Sequence, residues 1–294
     1  MAEWKPLWFM RGVRFSIVTP SFRQLDWLKR CVRSVGDQGC ELEHSVQDGG
    51  SGVELEEWVR EHTDAILSVE QDAGMYDALN RGFSRAGGEI LAWLTCDEQY
   101  LPGALRAVEA RFAAEPELDV LLADNLIVDG SGTYLAHRYS IQPTSGQIWL
   151  RFPVASCALF FRRRVWRPFD TRWKSTGDWW WFRDMMLRGA RIEIMRRFVS
   201  AFTETQANLG LAPVSRAEQA IILGSRPQWV KIFSPLLLAM HRWRMWRSGA
   251  FAVKPFKYAL FVGEETQRRE FTVDCPTARW IRQGGRTLDV DPAK

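Results

Sequence analysis

Residues 69–98, VEQDAGMYDALNRGFSRAGGEILAWLTCDE, decide the fold. Met75, Leu79 and Phe83 recur at helical spacing with polar residues between them, so 75–84 reads as an amphipathic helix. Gly87 and Gly88 end it, because glycine takes the left-handed conformation of a helix stop. Ile90 to Leu94 is a run of strand length, apolar on both faces, which is the pattern of a covered parallel strand. Asp97 and Glu98 then fall at the strand's carboxyl end, the edge where open α/β sheets place their ligands. Two adjacent acids there repel unless a cation or a hydrogen-bonding ligand offsets the charge. A solvated acidic loop is the alternative.

The same alternation runs outward in both directions. Residues 15–19 read as a first strand, with Pro20, Ser21 and Phe22 turning out of it. Leu25, Leu28, Val32 and Val35 mark an amphipathic helix ending near Gly36. A second strand at 44–47, a glycine-rich loop at 48–52, a helix at 54–61 and a third strand at 65–69 follow. Beyond the acidic pair come a helix at 102–112, a strand at 119–123 and a hairpin turning on 130–132. A helix at 179–187, stopped by Gly189, and a weakly alternating strand at 191–202 close the series. Strands alternating with helices at this interval predict an α/β fold with a doubly wound, mostly parallel, Rossmann-like sheet. The best boundary is 210–215; residues 216–294 read as a basic, tryptophan-rich helical region ending in a polar tail.

The spaced residues Asp72-x-Gly-Met-Tyr-Asp77-Ala-Leu-Asn80-x-Gly82, then Gly-Glu-Ile-Leu-Ala-Trp-Leu-x-x-Asp97, resemble the donor-binding half of family-2 inverting glycosyltransferases. The resemblance covers roughly 14–205 and implies the glycosyltransferase A fold. It implies a catalytic domain at 1–215, with a nucleotide-sugar half at 14–123 and an acceptor half at 124–215. It further implies a divalent cation, Mn or Mg, at the acidic motif. One sugar would pass with inversion from a nucleotide-sugar donor to the hydroxyl of a glycan or lipid-linked acceptor, as in bacterial surface polysaccharide synthesis.

Candidate site residues follow. In the family the loop Thr19-Pro20-Ser21-Phe22 lines the base pocket, so Phe22 or the backbone near Thr19 would contact the base; a plain strand-to-helix turn is the alternative. Asp48 ends the second strand, and an ionised carboxylate there can accept from a pyrimidine imide or amine. Its alternative is a turn residue beside glycine, and the loop departs from the family from Ser51 onward. Asp77 and Asn80 stand three apart on one helix face and can reach one ligand. With Asp72 they would contact sugar or phosphate, unless Asp72 is a cap and the others a solvated face. By position in the family Asp97 would hold the ribose and Glu98 the metal, where relatives often carry two aspartates; oxygen ligands suit Mg and Mn. Asp178, in Ser-Thr-Gly-Asp-Trp-Trp-Trp, resembles the acceptor-side catalytic base. An ordinary Asp pKa of about 3.9 leaves it ionised at neutral pH. Aspartate is also a leading helix N-cap, and both roles can coexist.

Composition sets the remaining bounds. At 294 residues, 46% apolar and 25% charged, the chain has the makeup of a globular protein. Five scattered cysteines without a CxxC pair argue against a disulfide framework and a zinc site, and point to reduced thiols and a cytoplasmic protein, with the inner face of a membrane as a second placement. Residues 1–10 lack the apolar core of a signal peptide. The net charge of +4 divides into −3 for residues 1–215 and +7 for 216–294. Trp229, Phe233, Leu236, Leu237, Met240 and Trp243 share one helical face beside Lys231, Arg242, Arg244 and Arg247, so 229–247 packs either on the core or on an anionic membrane surface. Two rivals stand beside an enzyme: an inactive nucleotide-sugar-binding module of the same fold, suggested by Glu98 and the altered loop, and a nucleic-acid binder. The apolar face interleaved with the basic residues speaks against nucleic acid.

Overall fold

The computed structural model describes residues 15–205 and 208–279, with the backbone of 281–282 and 286–287. The front half runs β1 (Phe15–Ser21), α1 (Leu25–Gly36), β2 (Leu42–Asp48), α2 (Val53–His62), β3 (Ile66–Val69), α3 (Met75–Arg85) and β4 (Ile90–Trp93). It continues through β5 (Glu98–Tyr100), α4 (Ala104–Ala114), β6 (Val120–Val128), β7 (Tyr134–Arg138), β8 (Leu159–Arg162), α5 (Gly177–Leu187) and β9 (Ile192–Thr203). The remainder is α6 (Pro213–Gly224), α7 (Gln228–Arg247) and a hairpin of β10 (Phe256–Leu260) and β11 (Arg269–Val273). That hairpin lies inside 216–294, which the sequence reads as helical: the helices end at Arg247 and antiparallel strands follow. The polar tail falls outside the described residues apart from the two-residue strands 281–282 and 286–287, and so does the stretch 1–10.

The large sheet has the order β3-β2-β1-β4-β8-β6-β9-β5, with β7 on β6. β1 is parallel to β2 and β4, β2 to β3, and β6 to β9, while β8 runs antiparallel between β4 and β6. The sheet is therefore parallel through its front half and mixed behind. Its apolar strands are covered: every residue of β1, β4 and β6 is buried. Trp93 sits at the centre of the core, edge-on to Phe83, Phe161, Phe169 and Trp181 at centroid distances of 5.5–6.4 Å. Such aromatic pairs each add ~0.5–1.5 kcal/mol beyond their buried area. Through them Trp181, on α5, belongs to the front core.

Two glycines in the deciding stretch act differently from expectation. α3 stops at Arg85 through an extended Ala86, whose N–H returns to the Gly82 carbonyl, and neither Gly87 nor Gly88 is left-handed. Instead the Gly87 N–H donates to Glu43 (3.0 Å) and the Gly88 N–H to the Ser16 hydroxyl (2.7 Å), so the pair lets the backbone approach β1 and β2 closely. Gly82 matters more. A Cβ there would stand 2.4 Å from Cγ1 of Val18, a fully buried residue of β1. Gly→Ala inside an exposed helix gains ~1 kcal/mol, but overpacking a core costs ~1–3 kcal/mol. Since Val18 has no room to yield, Gly82→Ala is expected to lose about 1–2 kcal/mol net, read as a lower denaturation midpoint. An unchanged or higher midpoint would mean that α3 and β1 separate freely.

Residues 213–279 are laced to the front part. Gln99 exchanges two hydrogen bonds with the Phe261 backbone (3.0 and 2.9 Å), the Tyr258 hydroxyl donates to the Gly132 carbonyl (2.6 Å), and Arg268 pairs with Asp37. None of the five cysteines is paired. Among the described residues no helix is long and apolar enough to cross a membrane.

Candidate active site

Because β1 to β4 run parallel, their carboxyl ends deliver residues 20–22, 48–49, 70–72 and 95–98 to one edge of the sheet. A cavity of about 1110 Å³ lies against that edge. Pro20, Ser21, Phe22, Gly49, Asp72, Asp97 and Glu98 line it from the front half, and Asp178 lines it from α5. The remaining four predicted residues, Thr19, Asp48, Asp77 and Asn80, are not part of the wall.

Thr19 turns its hydroxyl away from the cavity to His44 Nε2 (2.9 Å). Asp48 is fully buried and folds its own loop: Oδ2 accepts the N–H groups of Gly50 (2.9 Å) and Ser51 (2.7 Å), and Oδ1 the Ser51 hydroxyl (2.5 Å). Ser51 Oγ in turn accepts from the N–H of Arg23 (2.7 Å), a non-glycine residue at φ 55°. A side chain in that left-handed region is strained, and strain of this kind persists only where neighbours hold it. The result presents Phe22, 53% exposed, at the cavity. Gly49 permits this arrangement, since a Cβ on it would meet Asp72 Oδ2 at 3.1 Å and the Phe22 ring at 3.2 Å. Asp72 itself accepts the Gly74 N–H at 2.8 Å, so it is both a turn cap and part of the wall.

The joint reach of Asp77 and Asn80 toward one ligand is not formed. Asp77 accepts the Ala73 N–H (3.0 Å) and pairs with Arg81 (2.8 Å), and these bonds hold its carboxyl below the usual range. Asn80 clasps the Phe169 backbone with both ends of its amide (2.9 and 2.7 Å). Shared helix spacing set their direction, but nearer partners satisfied them first. Asn80 acts as a strut that ties α3 to the segment leading into α5.

The acidic pair is enclosed. Asp97 accepts from the Thr95 hydroxyl and from the Asn208 amide, both at 2.6 Å. Glu98, 2% exposed, accepts the Thr95 N–H at 2.8 Å and has the Ser156 hydroxyl at 3.5 Å. Burial raises both pKa values, and for Glu98 the charge of Asp97 adds to it. Among the described residues neither acid forms an ion pair, so no protein cation offsets two adjacent carboxylates. With Glu98 raised to about 8, the pair by itself keeps a proton at neutral pH, and Mg or Mn would bind these oxygen donors from the free cavity side by displacing it. No group of three or more metal-ligating side chains occurs among the described residues, so an ion held there would need further oxygen ligands from outside this pair.

Asp178 opens differently from the expected cap. α5 starts at Gly177 with Thr176 in the cap position, so Asp178 lies inside the first turn. Its Oδ1 accepts the Tyr76 hydroxyl (3.1 Å) and the Trp179 N–H (2.8 Å). Burial pushes its pKa up to about 6, against the opposing pull of these bonds and of the Arg138 charge. The ordinary aspartate value assumed from sequence is thus too low. Glu218 of α6, 6% exposed, instead orders the loop in front of α5: it accepts the N–H groups of Lys174 (2.6 Å), Ser175 (3.0 Å) and Thr176 (2.9 Å) and the Thr176 hydroxyl (2.9 Å). Tyr76 packs against Gly177, where a Cβ would meet its ring at 2.8 Å.

Tyr76, Asn208, Glu218 and Arg138 were not among the predicted residues. Tyr76 stands in the deciding stretch, within the motif, but the sequence reading gives it no role. Asn208 and Glu218 carry no local signal, being 111 and 42 positions from Asp97 and Thr176.

Known proteins resemble this chain in sequence and in fold. A family model described as glycosyl transferase family 2 matches residues 16–169. An uncharacterized glycosyltransferase of Mycobacterium tuberculosis is 38% identical over 89 residues, 29% of this chain and 34% of its own length, so the chain spans about a third of that relative. A PGL/p-HBAD biosynthesis glycosyltransferase of the same organism is 25% identical over 179 residues, 58% of this chain and 68% of its own length. In fold, residues 1–349 of S. aureus TarS in complex with UDP-GlcNAc superpose with a TM-score of 0.56 at 16% identity, covering 89% of this chain and 99% of that one. The mannosyltransferase PcManGT of Pyrobaculum calidifontis, in complex with GDP-Man and Mn2+, gives 0.50 at 15% identity, over 79% and 76%. With 154 of its 294 residues matched by the family model, this chain belongs to glycosyl transferase family 2.

Proposed function

We propose that the protein transfers one sugar from a nucleotide-sugar to an acceptor hydroxyl, inverting the anomeric carbon, with a divalent Mn or Mg ion at Asp97 and Glu98. The observation that carries this reading is the single cavity bordered by an uncompensated acidic pair on one side and by Asp178, with its raised pKa, on another. The loops at 20–22 and 49, with the exposed Phe22 ring, would receive the base, and Asp72 the sugar or phosphate. Asp178 would take the acceptor proton, since one general base and a direct displacement need no nucleophilic carboxylate. The cation, when bound, supplies positive charge to the departing diphosphate. Tyr76 holds Asp178 in place, and Glu218 fixes the loop in front of it. The setting would be bacterial surface polysaccharide synthesis, with a glycan or lipid-linked acceptor and peripheral membrane contact through 229–247.

A panel of nucleotide-sugars, assayed for release of nucleoside diphosphate with manganese and with chelator, tests the reading. Release with manganese and none with chelator is expected for at least one donor. Binding without release from any of them would favour the inactive module. Glu98→Gln is expected to weaken diphosphate binding by about tenfold when manganese is present, about the worth of one charge-assisted contact. Binding that is equal with and without chelator in the unmodified protein would remove the metal from the scheme.

A further inference from the structure

The helix α7 has two working faces. On the outside Trp229, Ile232, Phe233, Leu236, Met240 and Trp243 recur at helical spacing and are all exposed, Ile232 by 65% and Leu236 by 56%. Of the face read from the sequence, Leu237 turns inward, half-buried against Gly146, while Trp229, Phe233, Leu236, Met240 and Trp243 stay exposed. On the inside Leu238, His241 and Met245 line the same cavity that holds Asp178, and Leu223 of α6 continues that wall. One helix, about 10 Å across, thus separates an exposed apolar ridge from the cavity.

Soluble monomers rarely expose so many contiguous large apolar side chains, and such a patch marks a binding surface. Its charge selects the partner. α7 contains Lys231, Arg242, Arg244 and Arg247 and no acidic residue, and the Arg247 guanidinium lies 4.9 Å over the Trp243 ring. Tryptophan with arginine beside an apolar stripe is the pattern of a helix lying in the headgroup layer of an anionic bilayer. A second copy of this chain would instead bring like charges together. The helix cannot cross the bilayer, because Pro235 and its four basic residues interrupt the stripe.

We infer that α7 seats the protein on an anionic lipid surface and that the acceptor is a membrane-anchored amphiphile, its apolar anchor passing along the inner face of α7 while its hydroxyl reaches Asp178. The inference rests on the sugar-transfer reading for the role of Asp178. A freely soluble acceptor would have no use for a cavity wall of Leu223, Leu238 and Met245 directly beneath a lipid-seated helix. The apolar wall lowers the free energy of an anchor that would otherwise leave the bilayer for water.

Flotation with vesicles of phosphatidylglycerol and phosphatidylcholine is the first test. The full chain is expected to float with the mixed vesicles at low salt and much less with phosphatidylcholine alone. The triple variant Ile232→Ser, Leu236→Ser, Trp243→Ser is expected to lose binding by roughly tenfold or more, while melting within a few degrees of the parent. No flotation, or a dimer in light scattering that the triple variant dissolves, overturns the inference. A photoactivatable phosphatidylglycerol in the same vesicles is expected to label the inner face around Leu238 and Met245 as well as the outer ridge. Labelling confined to the ridge overturns the acceptor route. Release of nucleoside diphosphate from a donor is followed in the same preparation. No flotation of the unmodified chain with release retained sinks this inference alone, whereas flotation of that chain without release from any donor sinks the sugar-transfer reading.

Discussion

Asp178→Asn is expected to melt within a few degrees of the parent and to bind nucleotide, while its transfer rate falls by about 10²–10⁴-fold, the usual contribution of a general base. Asparagine keeps an oxygen that can accept from the Tyr76 hydroxyl and the Trp179 N–H, the two bonds Asp178 makes. It cannot take up a proton at neutral pH. Thr176 occupies the cap position, and the one first-turn N–H that Asp178 accepts, that of Trp179, keeps an oxygen acceptor in asparagine. Alanine would remove the acceptor for both bonds and is expected to cost about 1–2 kcal/mol more than asparagine. The pH profile gives an independent reading. With the carboxyl raised to about 6, transfer should climb as pH rises through about 6 and then level. Stability moves the other way: a carboxyl raised above its unfolded value of about 3.9 favours the fold while protonated and loses that contribution as pH rises from about 4 to 6. Near-parental transfer in Asp178→Asn, or a rate flat from pH 5 to pH 7, would move the base elsewhere in the cavity.

Glu218→Ala is expected to destabilise the protein by about 2–4 kcal/mol, since three backbone N–H groups and one hydroxyl lose a charged acceptor in a site where Glu218 is almost fully buried. For a chain of this size the melting temperature should drop by roughly 5–10 °C. Transfer should fall as well, because residues 174–176 lead directly into the first turn that carries Asp178. Glu218→Gln keeps one oxygen and turns an amide N–H toward donors, so it should fall between parent and alanine. A melting temperature unchanged in the alanine variant would show that the loop before α5 holds itself, and that α6 contributes no order to the cavity.

Much of the fold was legible because its signals are local. The period of Met75, Leu79 and Phe83, the two-faced apolar run at 90–94 and the strand–helix alternation from 15 to 93 each depend on neighbours within a few residues. That parallel arrangement alone was enough to bring Phe22, Asp72, Asp97 and Glu98 to one sheet edge, since parallel strands deliver their carboxyl ends to one side. Residues 16–169, the span of the family match, include all of these.

The choice of partner for each polar group was decided only by tertiary structure. Asp77 and Asn80 have the spacing of a shared site, yet Arg81 and the Phe169 backbone lie nearer than the cavity does. Thr19 sits in the loop expected around the base, but its hydroxyl meets His44, buried beside it. Gly87 and Gly88 read as a helix stop, but Glu43 and Ser16 draw their N–H groups to the sheet. Asp178 could be placed at a helix start from sequence, but its pKa could not, because the desolvation that raises it comes from walls assembled out of α3, α5 and the segment at 138–156. The exposure of α7 was equally beyond the sequence: its apolar period is the same for a core helix and a lipid-seated one. A periodic sequence states which residues share a face. Which surface that face meets depends on contacts between residues far apart in the chain, and no local pattern encodes those.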